Sequence, residues 1–217
     1  MYTVKVILFG ATGMVGQGVL RECLLDPDVE EVLAVGRTAT GRSAPKLRER
    51  VQADVTAVED LRGYDACFFC LGVSSAGMKE SDYRRITYDL TLGAARRLAR
   101  LNPEMTFIYV SGAGTNRTGR AMWARVKGEV EDDVIALPFH GYAMRPAYIQ
   151  PRHGVRSKTR FVNAFYAIGA PLYPLMRRAL PRYVTTTEQI GRAMLGVAKH
   201  GAPERILETP DINAITA

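Results

Sequence analysis

Residues 7–19, ILFGATGMVGQGV, place Gly10, Gly13 and Gly16 directly after a short apolar run and at the opening of an amphipathic stretch. Glycines spaced this way let a chain pass from strand to helix in a tight turn and bring its backbone close to a second body, since no Cβ obstructs either. The same switch of period recurs down the chain. Apolar runs at 4–10, 31–37, 50–55, 65–72, 105–112, 140–146 and 204–210 read as strands, and helical spacing occupies 17–25, 83–101, 123–137 and 185–201. Each helical crossover returns the chain to the same end of the sheet, so its strands pair in parallel. The expected class is α/β, a doubly wound parallel sheet with helices on both faces.

Length then bounds the organisation. At 217 residues the chain suits one domain, 1–217, with a core that needs no metal or disulfide staple. Residues 151–184 break the rhythm, with Pro151, Pro171, Pro174 and Pro181 interrupting an apolar stretch. They read as a small C-terminal helical lobe covering a substrate, with membrane-surface attachment or a dimer contact as the rival. The stretch is too short and proline-broken for an integral membrane span, which needs about 20 apolar residues. MYTVKVILFG reads as a first strand rather than a secretion signal, which makes a cytoplasmic location the expectation.

Cysteine and histidine spacing point away from metal. Cys67 and Cys70 have CxxC spelling but lie in an apolar run, where positions three apart face opposite sides of a strand. The three histidines are scattered, and no metal site is expected.

Residues beyond each strand carry the chemistry. Gly10, Gly13 and Gly16, with Thr12, Met14 and Val15 between them, form a loop whose exposed N–H groups at a helix start suit a pyrophosphate. About 20 residues on, a dinucleotide site with a free ribose 2′-hydroxyl offers an acid, whereas arginine accommodates a 2′-phosphate. Here the second strand ends in Arg37 and Thr38, with Arg42 close by, which favours NADP(H). Asp54 and Val55 end the expected third strand and would lie by the adenine. Leu71 and Gly72 end the fourth, beside the cofactor's ribose.

The glycine pattern GATGMVG, the strand-end serine of YVSGAG, the WARVKGEVE helix and the AMRPAYIQP segment follow one another as in atypical short-chain dehydrogenases, and the chain resembles that superfamily, epimerase- and dehydratase-like members included, over its whole length. FCLG and VKGEVE resemble most the Tat-interacting-protein-like oxidoreductases, which bind NADP(H) on a Rossmann sheet. The resemblance implies that Ser111 orients substrate, Lys127 binds the nicotinamide ribose and Pro146 lies near the nicotinamide. It puts Trp123 where the catalytic tyrosine stands. Indole N–H is a donor that keeps its proton near neutrality, so Trp123 can bond or stack on a ligand but is no general acid.

Two functions follow from different classes. One is an NADP(H)-dependent oxidoreductase acting on a small carbonyl or conjugated substrate. The other is a catalytically weak NADP(H)-binding regulator or scaffold, presenting a homodimer or protein contact through the basic C-terminal third. That third is distinctive: no acid occurs between Asp133 and Glu188, while Arg145, Arg152, Arg156, Lys158, Arg160, Arg177, Arg178 and Arg182 all do. No nucleic-acid-binding pattern accompanies the net charge of +7, so no nucleic-acid partner is expected.

Overall fold

In a computed structural model, the chain is described over residues 3–54, 57–155 and 173–215. The first strand, β1 (Val4–Phe9), shows why these sequences make a two-sided sheet. Val4, Val6 and Leu8 point to one face and Ile7 and Phe9 to the other, and all five are essentially without solvent contact. A strand buried on both faces reads as a continuous apolar run.

Elements then follow as α1 (Met14–Leu25), β2 (Val29–Gly36), β3 (Leu47–Val51), β4 (Ala66–Phe69), α2 (Glu80–Arg84), a π-helical turn (Arg85–Asp89), α3 (Leu90–Leu101), β5 (Thr106–Val110), α4 (Met122–Ile135) and β6 (His140–Arg145). After these come β7 (Tyr148–Gln150), α5 (Tyr173–Ala179), a short 3-10 turn (Pro181–Tyr183), β8 (Val184–Thr186), α6 (Thr187–His200), β9 (Ile206–Glu208) and α7 (Thr209–Ala214). The large sheet has the order β3-β2-β1-β4-β5-β6-β9, with every pairing parallel. This is the doubly wound α/β sheet that the alternation predicts. Helices α1, α6 and α7 cover one face with Val19, Leu20, Ile190, Met194 and Ile212. The other face takes α3 and α4 through Leu92, Leu98, Val130 and Val134, over a row of rings from Phe9 through Phe69 and Phe107 to Phe139. Strand order reverses between β1 and β4, which opens a crevice at their carboxyl ends.

Sequence and structure differ in several places. The third strand lies at Leu47–Val51 rather than 50–55, because on this edge strand Leu47 supplies the buried side chain, while Val51 is 54% exposed. The stretch 83–101 begins earlier and carries a π-helical turn. Strands β7 and β8 were not legible; they pair in parallel as a separate two-stranded ribbon, so the chain leaves for 151–184 and returns from it side by side. Residues 156–172 of that expected lobe, with Arg156, Lys158 and Arg160, lie outside the described residues, as does Val55.

Cys67 packs on the α3/α4 face and Cys70 against the α1/α6 face, opposite sides as the spacing requires, and burial pushes both thiols up. Among the described residues no helix is long and apolar enough to cross a membrane.

Candidate functional site

The glycine loop sits in the crevice. Gly10 follows β1 with φ +80, and a Cβ on it would meet the Cys70 carbonyl carbon at 2.7 Å and the Leu71 nitrogen at 2.8 Å. Only glycine allows that left-handed backbone pressed against the end of β4. A Cβ on Gly16 would come within 2.1 Å of the Gly10 carbonyl oxygen, so Gly16 lets α1 close onto the loop. Gly13 caps α1 in an extended conformation, and its N–H donates to the Gly10 carbonyl at 2.9 Å. Thr12, Met14 and Val15 are half-buried along this turn. By contrast, a Cβ on Gly72 would meet nothing within 4 Å, so the ground beyond β4 is open.

Between the loop and the end of β2 lies a cleft of about 330 Å³ lined by Ala11, Thr12, Gln17, Thr38, Ala39, Thr40 and Arg42. Thr12 and Thr38 are sequence-predicted members. Arg42 supplies the cleft's guanidinium, while Arg37 is exposed at its margin and is not one of the lining residues. Neither arginine forms an ion pair among the described residues. Gln17 was not foreseen; its side-chain amide braces the loop by donating to the Thr12 carbonyl at 3.1 Å. Asp54 is exposed three residues beyond β3, with its carbonyl accepting from Gln52 and Ala57. These residues could hold a dinucleotide: the open ground at Gly72, the α1 start and a cleft carrying a cation fit a pyrophosphate and a phosphorylated ribose.

Farther along the same edge, Ser111 follows β5. Its N–H donates to the Met144 carbonyl at 2.8 Å, and Ala113 N–H donates to the Pro146 carbonyl at 3.0 Å, so the ends of β5 and β6 are stitched together. Ser111 Oγ lies 3.0 Å from Thr115 Oγ1, which itself donates to the Gly112 carbonyl at 2.8 Å. Lys127 Nζ donates to the Ser111 carbonyl at 2.8 Å and stands 5.7 Å from the centre of the Tyr109 ring. One of its N–H groups is thus engaged, and among the described residues no second hydrogen-bond acceptor meets Nζ, which leaves the others for a ligand. Burial pulls the Lys127 ammonium down to about 8, against an opposing pull from Glu131 one turn on. Trp123, one turn before, is half-buried and leans over Gly114, where a Cβ would meet its ring at 3.6 Å.

Three tyrosines flanking this edge of the sheet are engaged in other contacts. Tyr88 donates to Asp133 toward the far end of α4, and Tyr142 is buried under Arg205, its hydroxyl accepting from Ala202 N–H. Tyr148 donates to Gln150 Oε1 at 2.9 Å. Burial pushes Tyr83 up. Two further groups had no sequence signal: Thr115, and Glu131, a 1% exposed carboxylate held by both Nε contacts of Arg145 at 3.0 and 3.1 Å. Arg145 also reaches Glu208 at 3.2 Å, tying α4, β6 and β9 behind Lys127.

Protein fmp52-1, mitochondrial, of Aspergillus terreus is 30% identical to this chain over 171 residues, covering 74% of this chain and 72% of that protein. The chain belongs to the FMP52 family. Protein FMP52-2, mitochondrial, of Scheffersomyces stipitis is 27% identical over 222 residues and spans 97% of this FMP52-family chain and 93% of its own length. No protein-family model matches. Among solved structures, Bordetella bronchiseptica WbmF in complex with NAD+ superimposes with a TM-score of 0.67 at 14% identity, covering 98% of this chain and 77% of WbmF. A short-chain dehydrogenase/reductase of Saccharomyces cerevisiae gives 0.66 at 13% identity, with 99% and 100% covered. At such identities the likeness establishes the fold, the Rossmann sheet of short-chain dehydrogenases.

Two expectations change with the FMP52 assignment. The relatives carry that name rather than the name of the Tat-interacting-protein-like oxidoreductases. The cytoplasmic expectation is overturned, since the FMP52 relatives are named mitochondrial; an opening stretch that folds as a buried strand carries no information about its compartment.

Proposed function

We propose that this FMP52-family chain is an NADP(H)-dependent oxidoreductase of the atypical short-chain type, acting on a small carbonyl or conjugated substrate. The observation that carries the reading is the alignment, along one sheet edge, of the glycine loop, the arginine-bearing cleft and the Ser111–Lys127 pair. The loop, with Gly10, Thr12, Gly13, Met14, Val15 and Gly16, would hold the pyrophosphate; Thr38, Arg37 and Arg42 would take the 2′-phosphate. Leu71, Gly72 and Asp54 would flank the adenosine half, and Pro146 the nicotinamide. The bound cofactor supplies a hydride. Lys127 binds ribose hydroxyls through its free N–H groups, and Ser111 orients the acceptor oxygen. NAD+ in the WbmF complex supports a nicotinamide dinucleotide here, and the arginines support its phosphorylated form.

The test is a calorimetric titration of NADPH and NADH into the wild type and the Arg37→Ala, Arg42→Ala double variant. NADPH should bind at least tenfold tighter than NADH, and the double variant should erase the difference. Equal affinities, or none, overturn the NADP reading.

A second reading, an NADP(H)-binding regulator or scaffold, is favoured by Trp123 at the tyrosine position with Tyr88, Tyr142 and Tyr148 engaged in other contacts. Pull-downs that recover different partners with and without NADPH, joined to no nucleotide oxidation across a carbonyl and quinone panel, select it. From the names of its relatives we also propose a mitochondrial location, which cell fractionation checks.

A further inference from the structure

Beyond β6 the chain builds a second cavity, of about 410 Å³, lined by Gln150, Pro151, Arg152, His153 and Tyr173. Its backbone is unusually constrained. Val155 N–H donates to the Arg152 carbonyl at 3.1 Å, closing a tight turn in which His153 has φ 55 and Gly154 φ 73. A histidine with positive φ is strained, and such strain persists only where its surroundings hold it. Here His153 Nε2 meets Glu188 Oε2 at 2.7 Å, and Arg152 N–H donates to Thr187 Oγ1 at 3.1 Å, both at the start of α6. The backbone of Arg152 is therefore fixed at its nitrogen and at its oxygen, while its exposed guanidinium forms no ion pair among the described residues.

The cavity's described lining residues include no acid. No acid lies between Asp133 and Glu188. Glu188 is shared by His153 and by Arg192 at 2.7 Å. Also lining the cavity, the buried Gln150 accepts from the Tyr148 hydroxyl at 2.9 Å through its carbonyl oxygen and donates to the Pro151 carbonyl at 3.3 Å through its amide nitrogen, which has a second N–H. A cavity lined by an arginine whose backbone is held and by a side-chain amide suits an oxyanion, which a planar fork of N–H donors binds in two places at once.

We infer that this cavity holds the carboxylate or phosphate of the substrate, with Arg152 as its principal anchor. The inference rests on the oxidoreductase reading and narrows its substrate to an anionic carbonyl compound. The link along the chain is short: six steps carry the backbone from Pro146 to Arg152, at most about 20 Å, and the long Arg152 side chain can cover part of that.

The test uses the full chain with Arg37→Ala and Arg42→Ala in place, which removes the arginines at the first cleft, and the Arg152 variant then tells binding at the second cavity from binding at the glycine loop. Calorimetry follows 2-oxobutyrate as the carboxylate, dihydroxyacetone phosphate as the phosphate and hydroxyacetone as a neutral ketone. At least one anion should bind saturably and the neutral ketone should not; which anion binds names the source of the oxyanion. Arg152→Gln, which keeps both backbone bonds, should weaken that anion at least tenfold. Binding of neither anion, equal binding of hydroxyacetone, or unchanged affinity in Arg152→Gln overturns the inference. Should that variant not fold, Arg152→Lys, which keeps the charge but loses the planar fork, takes its place, and unchanged affinity there overturns the role of Arg152. No nucleotide enters the measurement, so it is independent of the NADPH titration.

Discussion

Lys127 shows how burial sets the behaviour of a single group. Its ammonium is pulled from 10.5 to about 8, chiefly by desolvation. Between those pH values the unfolded chain holds a proton that the folded chain has released, so this residue makes stability rise with pH through that window. Urea denaturation at pH 8 and at pH 10 should therefore give a steeper gain for the wild type than for Lys127→Met; equal gains would mean that the amine stays solvated. Trp123 poses the complementary question. A phenol one turn before Lys127 can surrender a proton that indole keeps, and such general acids contribute about 10²- to 10⁴-fold to a rate. Trp123→Tyr should raise NADPH oxidation against a keto-acid panel by about 10²-fold, read by absorbance. No change would place residue 123 away from the reacting carbonyl. Ser111, Trp123 and Lys127 could be picked out by resemblance to short-chain dehydrogenases, because each has a fixed place relative to a strand end or helical turn. Thr115 could not, since its bond to Ser111 depends on how the loop after β5 folds back.

At the scale of elements, α4 and the ends of β6 and β9 meet at the Glu131–Arg145–Glu208 network. Glu131 is 1% exposed, and a buried charge that loses its partner costs about 3–5 kcal/mol. Arg145→Met should destabilise the protein by about that amount in chemical denaturation, and adding Glu131→Gln should recover part of the loss because no charge is then stranded. A destabilisation below about 1 kcal/mol would mean that water reaches Glu131. The same scale explains which strands were legible. Strands β1, β4 and β5 are buried on both faces and announce themselves as apolar runs. The edge strand β3 has one buried side chain in the register that matters, so the expected 50–55 missed its place. Strands β7 and β8 have three residues each and owe their conformation to each other across a long interval, a pairing no local pattern contains.

For the molecule as a whole, ligand binding and stability are linked. A ligand at a hundredfold excess over its Kd stabilises the folded state by about 2.7 kcal/mol, and about 1 kcal/mol moves the melting temperature of a chain this size by about 2–4 °C. Saturating NADPH should accordingly raise it by about 5–10 °C in the wild type and far less in the Arg37→Ala, Arg42→Ala variant, followed by scanning fluorimetry. A shift of the same size in both would move the nucleotide away from the β2 edge. By itself the sequence determined the doubly wound sheet, the position of the glycine loop and the ends of β1, β2 and β5, because hydrophobic period and glycine stereochemistry act over a few neighbouring residues. Tertiary structure alone decided that Arg42 lines the first cleft rather than Arg37, that Lys127 bonds the Ser111 carbonyl over Tyr109, and that Arg152 is held by α6 beside a second cavity. Those contacts join residues far apart in the chain, and their geometry comes from the packing of helices on the sheet.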